Sequence, residues 1–396
     1  MPELIRVCEA DRRLAECQRL APTVSCPLAS AVGRVLRQSV IADRDLPPFD
    51  RVMMDGYAIN TGRTAPGAIL PVAGRSDAGA PQATLPPAPV AWEVMTGAPL
   101  PEHADAVVPY EAIAPGQHAG SIHLPADGQP VSGAFIHRRG SDYAAGATLL
   151  SSGTLLGPAE IGIAASCGLS ELLVSEHPRL AVFATGDELV DVYVQPASHQ
   201  IRQSNAYALE AALTLSGYPV SESARLADET ASEDRIREAV DKHDVVIIAG
   251  AASRGRRDWA APLLDSLATR VFHGIRQHPG KPLGLWCRPE GKLIFLLPGN
   301  PVAALTGMIR FVLPALSERE GRPLRHAYCS LREPPAPTDF TRYLPVRLSV
   351  LGPATAVAPR NSGDYARLAG TDGFIEIPSH QSPLPSTSHF RFYAWK

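Results

Sequence analysis

Three short runs of uninterrupted apolar residues constrain this chain most: RLAVFA (Arg179–Ala184), DVVIIA (Asp244–Ala249) and KLIFLL (Lys292–Leu297). A strand with water on one face alternates polar and apolar residues. Runs without alternation belong to strands covered on both faces, as in a mostly parallel sheet between helices. The segments between the runs suit that fold. Asn205–Ser216 reads as a helix closed by Gly217, and TASE (Thr230–Glu233) as a capping box opening a helix to Lys242. Trp259–Ala268 and the long apolar Val302–Leu316, behind a PGNP turn, read as further helices. Ligands on such sheets sit beyond the carboxyl ends of the strands. Here those ends are the loop 250–258 and Pro298–Pro301.

The rest of the chain has other textures. Glu9–Leu20 and Ala29–Arg37 carry helical patterns, which Pro47 and Pro48 in LPPFDR (46–51) end. From about 52 to 140, strand-like runs (Ala68–Val72, Ala91–Met95, Ala106–Val108, Ile122–Leu124, Ala134–His137) alternate with Gly, Pro and Asp. That reads as a small β-rich domain. Between 145 and 178, strand signals surround a helical segment, Pro158–Cys167, with Gly168 as its stop. In 325–396 the helical signal is lost, and TRYLPVRLSV, DGFIEIPSH and HFRFYAW read as strands of a small β domain.

Composition excludes several classes. Lys+Arg is 37 and Asp+Glu is 40, a net charge of −3, which argues against a mainly electrostatic binder of nucleic acid or membrane surface. No run is long and apolar enough for a membrane helix, and the charged start MPELIRVCEADRRLAECQRLAP reads as no signal peptide. The six cysteines form no CxxC pair and no disulfide framework. These features together predict a reduced, cytoplasmic protein.

Several segments offer chemistry. The loop Gly250-Ala251-Ala252-Ser253-Arg254-Gly255-Arg256-Arg257-Asp258 combines small residues, which let amides approach an anion, with three arginines. A solvated loop with incidental arginines remains equally open. The turn Gln277–Pro282 presents Lys281, one of only four lysines, between prolines and a glycine. Asp187 and Glu188 in Thr185–Leu189 offer carboxylates for a cation or a sugar hydroxyl, or a helix cap at Asp187. Asp55 in MDGYA, Asp142 in RRGSD and Thr96 in TGAP each fit an ordinary turn.

In order and spacing, LPPFDRVMMDGYAI, VMTGAPLPEHADAVVPYE, HRRGSDYAAGATLL, ATGDELV, DVVIIAGAASRGRRD, HPGKPLG and LLPGNPVAAL resemble the molybdopterin molybdenumtransferases, the MoeA and gephyrin E-domain family. The resemblance spans nearly the whole chain. It implies an elongated, multi-domain α/β plus β protomer. Residues 1–50 and 145–178 would form an extended N-terminal domain, and 51–144 an inserted β-rich domain. Residues 179–324 would form a three-layer α/β molybdopterin-binding domain, and 325–396 a C-terminal β-barrel-like domain. It implies insertion of molybdate into adenylylated molybdopterin, with Mg²⁺ and release of AMP. It implies a homodimer whose active cleft is shared between subunits. A molybdopterin adenylyltransferase is a candidate partner.

By the same resemblance, Asp55, Asp142, Glu188 and Asp258 are the acidic, catalytic positions of the cleft, and Asp142, Glu188 and Asp258 the metal ligands. Thr96, Gly250, Ser253, Arg254, Gly255, Arg256, His278, Lys281, Pro298 and Pro301 are expected to bind the pterin substrate. Lys281, Pro282, Arg342 and Ser362 are expected to bind molybdate. The chain departs from the family pattern at Ala251 (glycine), Arg256 (an acid), His278 (lysine) and Ala303 (serine). Arginine cannot act as a general base. The departures therefore set two alternatives beside the working enzyme: a catalytically decayed relative acting as a cofactor-binding or scaffold protein, or a transferase for another oxyanion such as tungstate.

Overall fold

A computed structural model describes residues 4–113, 120–126, 131–227, 230–251, 259–324, 326–333, 336–361, 363–380, 384–385 and 388–395. The three apolar runs form adjacent strands of one six-stranded sheet. Its order is Glu222–Leu226, Leu180–Thr185, Val245–Ala249, Leu293–Leu297, Gly284–Cys287, Thr269–His273. The first four run parallel, Gly284–Cys287 runs antiparallel to them, and Thr269–His273 pairs antiparallel with Gly284–Cys287 and so runs in the direction of the first four. Leu180–Thr185, Val245–Ala249 and Leu293–Leu297 are buried along their whole length. One core packs Leu180, Val182, Val245, Ile247 and Phe295 against helix Asn205–Leu215 and the helical run after Pro301. The other packs Phe183, Val246, Ile248 and Ile294 against helices Thr230–Lys242 and Ala260–Leu267. That is the three-layer arrangement the sequence predicts.

The long apolar helix is interrupted: Met308–Val312 is a π-helical turn between Pro301–Gly307 and Leu313–Arg319. Pro314 has no N–H to give the carbonyl four residues back, so the ladder must widen locally. The first helix spans Val7–Cys17, and its Val7, Ala10 and Leu14 join the α/β core rather than the extended domain. No helix forms over Ala29–Arg37. A single 3₁₀ turn, Leu28–Ser30, is followed by Gly33 at φ 80°, and Val35 and Leu36 bridge to Leu155 and Val174.

Thr23–Pro27 pairs with Glu171–Ser175, and Val40–Ile41 with Thr148–Leu150, so chain either side of the insert closes on itself. The intervening residues build a five-stranded sheet of order Ala106–Pro109, Gly56–Ile59, Ala91–Val94, Ile69–Ser76, Ser121–His123. Its inner strand Gly56–Ile59 lies where sequence reading placed only a turn. Gly56 is required there, because a Cβ would fall 2.1 Å from the Val108 carbonyl oxygen of the neighbouring strand.

The C-terminal sheet runs Gln277–His278, Thr341–Arg347, Gly373–Ile377, His389–Ala394, Ala327–Ser330. Its end strands do not pair with one another among the described residues, so it is a curled, open sheet. Gln277–His278 belongs to the α/β segment in sequence yet pairs with Thr341–Arg347. The turn that carries Lys281 thus lies at the joint of the two sheets. No helix among the described residues is long and apolar enough to cross a membrane. All six cysteines are free.

Candidate functional site

A cleft of about 620 Å³ opens at the carboxyl ends of the central strands. Thr185, Gly186 and Glu188 follow the first apolar strand, Gly250 and Ala251 the second, and Pro298–Pro301 the third. Arg202, Gln203, Ser204 and Asn205, entering a helix, form another wall, and Pro282 and Gly363 reach in from the joint and the C-terminal sheet.

Backbone geometry holds these loops close. Gly250 has φ 115°, and a Cβ there would lie 2.3 Å from the Thr185 carbonyl oxygen. Its amide donates to the Leu297 carbonyl at 3.1 Å, tying the ends of two strands together. Ala251 follows at φ 45°, a left-handed conformation that disfavours a Cβ. Asn205 Nδ2 donates to the Gly299 carbonyl at 2.7 Å, fixing the PGNP turn. Glu188 folds back over Gly186, whose missing Cβ would lie 2.8 Å from the carboxylate oxygens. Asp187 caps no helix, because the strand Leu189–Val190 follows it.

Lys281 and Pro282 stand beside this cleft. Gln277 Nε2 donates to the Gly280 carbonyl at 3.0 Å, and Tyr343 Oη donates to Gln277 Oε1 at 3.2 Å. This braced turn carries His278, exposed and in register with Arg342. Lys281 Nζ and Arg276 Cζ each lie 6.0 Å from the Phe340 ring. Arg342 Nε is buried without a hydrogen-bond partner among the described residues. Cations therefore gather at the joint, as an oxyanion site needs. Ala303, at the start of the helix Pro301–Gly307, is buried.

The acidic residues of the insert lie apart from this wall. Asp55 Oδ1 accepts from the Thr96 amide at 2.6 Å and its hydroxyl at 2.7 Å. The Thr96 amide, then its hydroxyl, hold the exposed Asp55 carboxyl below the ordinary range. Arg51 Nη2 lies 3.0 Å from His137 Nδ1, and His137 Nε2 lies 2.8 Å from Asp142 Oδ1. A guanidinium only donates, so Nδ1 accepts and Nε2–H donates to Asp142. Neither Asp55 nor Asp142 lines the cleft that Glu188 lines. No group of three potential metal ligands occurs among the described residues, and Asp258 of the expected set lies outside them. Ser253, Arg254, Gly255, Arg256, Asp258 and Ser362 lie outside the described residues.

Thr185 and Gln203 line the cleft without having been singled out as contacts in the sequence. A threonine ending a buried strand was the only available signal.

Residues 5–168 match the family described as MoeA N-terminal region (domain I and II), and residues 181–318 the probable molybdopterin binding domain. A molybdopterin molybdenumtransferase of Synechocystis is 36% identical over 377 residues, covering 92% of this chain and 93% of its own length. The chain belongs to the molybdopterin molybdenumtransferase family. Within that family, molybdopterin molybdenumtransferase 2 of Mycobacterium tuberculosis is 35% identical, covering 93% of this chain and 94% of its own. A crystal structure of the molybdopterin biosynthesis MoeA protein of Pyrococcus horikoshii superposes with a TM-score of 0.81 at 27% identity, covering both chains completely. The family's fold thus spans the whole length of this chain.

Proposed function

We propose that this chain works in molybdenum cofactor biosynthesis, inserting molybdate into adenylylated molybdopterin and releasing AMP. The observation that carries the reading is convergence. Gly250 at the start of the small-residue loop, Pro282 beside Lys281, the Pro298–Pro301 turn and Gly363 all meet at one cleft. Substrate phosphates and molybdate are both anions. The loop amides from Gly250 onward, with Arg254, Arg256 and Arg257, suit the phosphates. Lys281, Arg342 and the joint between the sheets suit the oxyanion.

Magnesium takes oxygen ligands. The described cleft wall of one protomer offers it Glu188, and Asp258 belongs to the adjoining loop. The ion would arrive with the substrate's phosphates and offset their charge. Asp55 and Asp142 stand away from that wall, which supports a homodimer in which a second copy's insert closes the cleft. A cytoplasmic setting and transfer of substrate from an adenylyltransferase fit the same reading.

The test is AMP release from adenylylated molybdopterin, with and without molybdate. Molybdate-dependent release is expected. Binding without release would identify a decayed relative, and release that responds only to tungstate a different oxyanion. Arg256→Asp separates a lesion from an adapted contact. A rise in turnover marks a lesion, and a loss of affinity with unchanged turnover marks a contact.

A further inference from the structure

Two residues lining the cleft each bury a polar atom that has no hydrogen-bond partner among the described residues. Thr185 is 4% exposed and Gln203 7% exposed. Thr185 Oγ1 and Gln203 Oε1 have no hydrogen-bond partner among the described residues. Both residues line the cleft. Folded proteins rarely leave such atoms unpaired, and each exception calls for an explanation, whether strain, a catalytic role, or a water, ion or ligand at the site. Elsewhere the fold does satisfy a buried glutamine: Gln277, 2% exposed, has both ends of its amide paired.

Position assigns each atom a chemistry. Thr185 ends the central strand, and its hydroxyl stands where a Cβ on Gly250 would approach to 2.6 Å. It therefore stands against Gly250, where the small-residue loop begins. A hydroxyl can donate there. Gln203 lies across the cleft, just before helix Asn205–Leu215. Its carboxamide offers a donor beside an acceptor, matching an amino group beside a ring nitrogen. Adenine and a pterin both present that edge.

We propose that Thr185 and Gln203 read the substrate in this cleft, Thr185 donating to a phosphoryl oxygen and Gln203 pairing with the amino-azine edge of a fused heterocycle. This rests on the proposed function and names the contacts within it. Thr185 Oγ1 and Gln203 Oε1, without partners among the described residues, would each gain one in the complex. Replacing either residue by an apolar isostere should leave the free protein as stable or more so, while weakening the complex.

The experiment compares wild type, Thr185→Val, Thr185→Ser and Gln203→Met by thermal melting and by titration with AMP, ribose 5-phosphate and molybdopterin. Thr185→Val is expected to melt at the wild-type temperature or about 1–3 °C above it. It should bind AMP and ribose 5-phosphate about tenfold more weakly. Thr185→Ser, which keeps the hydroxyl, should bind as wild type. Gln203→Met should leave ribose 5-phosphate binding unchanged. A loss of about three- to tenfold with AMP identifies adenine as its partner, and a loss with molybdopterin alone identifies the pterin. Wild-type affinity of Thr185→Val and Gln203→Met for every probe overturns the proposal and leaves the functional reading standing. A parallel fall in melting temperature and affinity overturns it too, because it marks a structural role. Failure of the wild type to bind any probe instead overturns the functional reading.

Discussion

The Arg310 network and Gln277 brace at the joint of the α/β and C-terminal sheets treat buried polar groups differently from the wall of the cleft. At the joint, Arg310 is 5% exposed and fully engaged. Its Nη1 and Nη2 donate to Asp11 at 2.9 and 2.7 Å, and its Nε donates to Glu376 at 2.7 Å. Tyr393 Oη donates to the same Glu376 at 2.9 Å. Nearby, Gln277 is paired at both ends. At the cleft wall, Thr185 Oγ1 and Gln203 Oε1 are left open. The Arg310 network and the Gln277 brace are complete as folded, whereas Arg342 Nε at the same joint and the two cleft-wall atoms have no partner among the described residues. The same residue type, glutamine, serves as a brace in one place and as an open contact in the other.

The largest way to break this contrast is at the joint. Arg310→Met fills similar volume but strands Glu376 and Asp11 without their cation. Removing one partner of a buried ion pair costs about 3–5 kcal/mol. Asp11 is 41% exposed on its side chain and can rehydrate, so the cost should fall at the lower end. Urea unfolding is expected to show a midpoint shift of that size. A change below about 1 kcal/mol would mean that the network is not what holds the helix Val7–Cys17 and the C-terminal sheet to the α/β core.

A smaller, sharper break compares the two glutamines directly. Gln277→Met leaves the buried Tyr343 hydroxyl without the acceptor it has here, at about 1–3 kcal/mol, while the Gly280 carbonyl keeps the Leu283 amide at 3.1 Å. It also loosens the turn that carries Lys281, so molybdate affinity should fall with stability. Gln203→Met, by contrast, is expected to cost no stability. Equal losses from both substitutions, by calorimetry, would erase the distinction between brace and open contact.

Much of the scaffold was legible in the chain because burial on both faces writes itself as uninterrupted apolar residues. Leu180–Thr185, Val245–Ala249 and Leu293–Leu297 are such cases. The strand Gly56–Ile59 was not legible, since Asp55-Gly56 is a turn signal. Gly56 is a strand residue only because Val108 of a distant segment packs too close for a Cβ. Glu222–Leu226 has an alternating exposure pattern at a sheet edge and carries no continuous apolar signal. In the cleft, the order of motifs pointed to Gly250, Pro282, Pro298 and Pro301, and these do converge. That Asp55 and Asp142 stand away from Glu188 could not be read from order. The openness of Thr185 and Gln203 was invisible as well, because an absent hydrogen bond exists only in three dimensions.

The smallest test concerns strain rather than pairing. Ala251 sits at φ 45°, where the family resemblance implies glycine. A left-handed L-residue costs roughly 1–2 kcal/mol, because its Cβ crowds the following carbonyl oxygen. Glycine removes that cost but adds about 0.4–1 kcal/mol of chain entropy to the unfolded state. The balance predicts that Ala251→Gly stabilises the protein by about 0.5–1 kcal/mol, read as a higher denaturant midpoint at unchanged slope. No such strain is expected at the joint, so this gain is specific to the cleft. A second reading comes from AMP titration. If Ala251 only strains the loop, affinity should hold or rise in Ala251→Gly along with stability. If affinity falls while stability rises, the strained conformation is itself holding the loop amides toward the ligand. The cleft would then be open in its backbone as well as in its side chains.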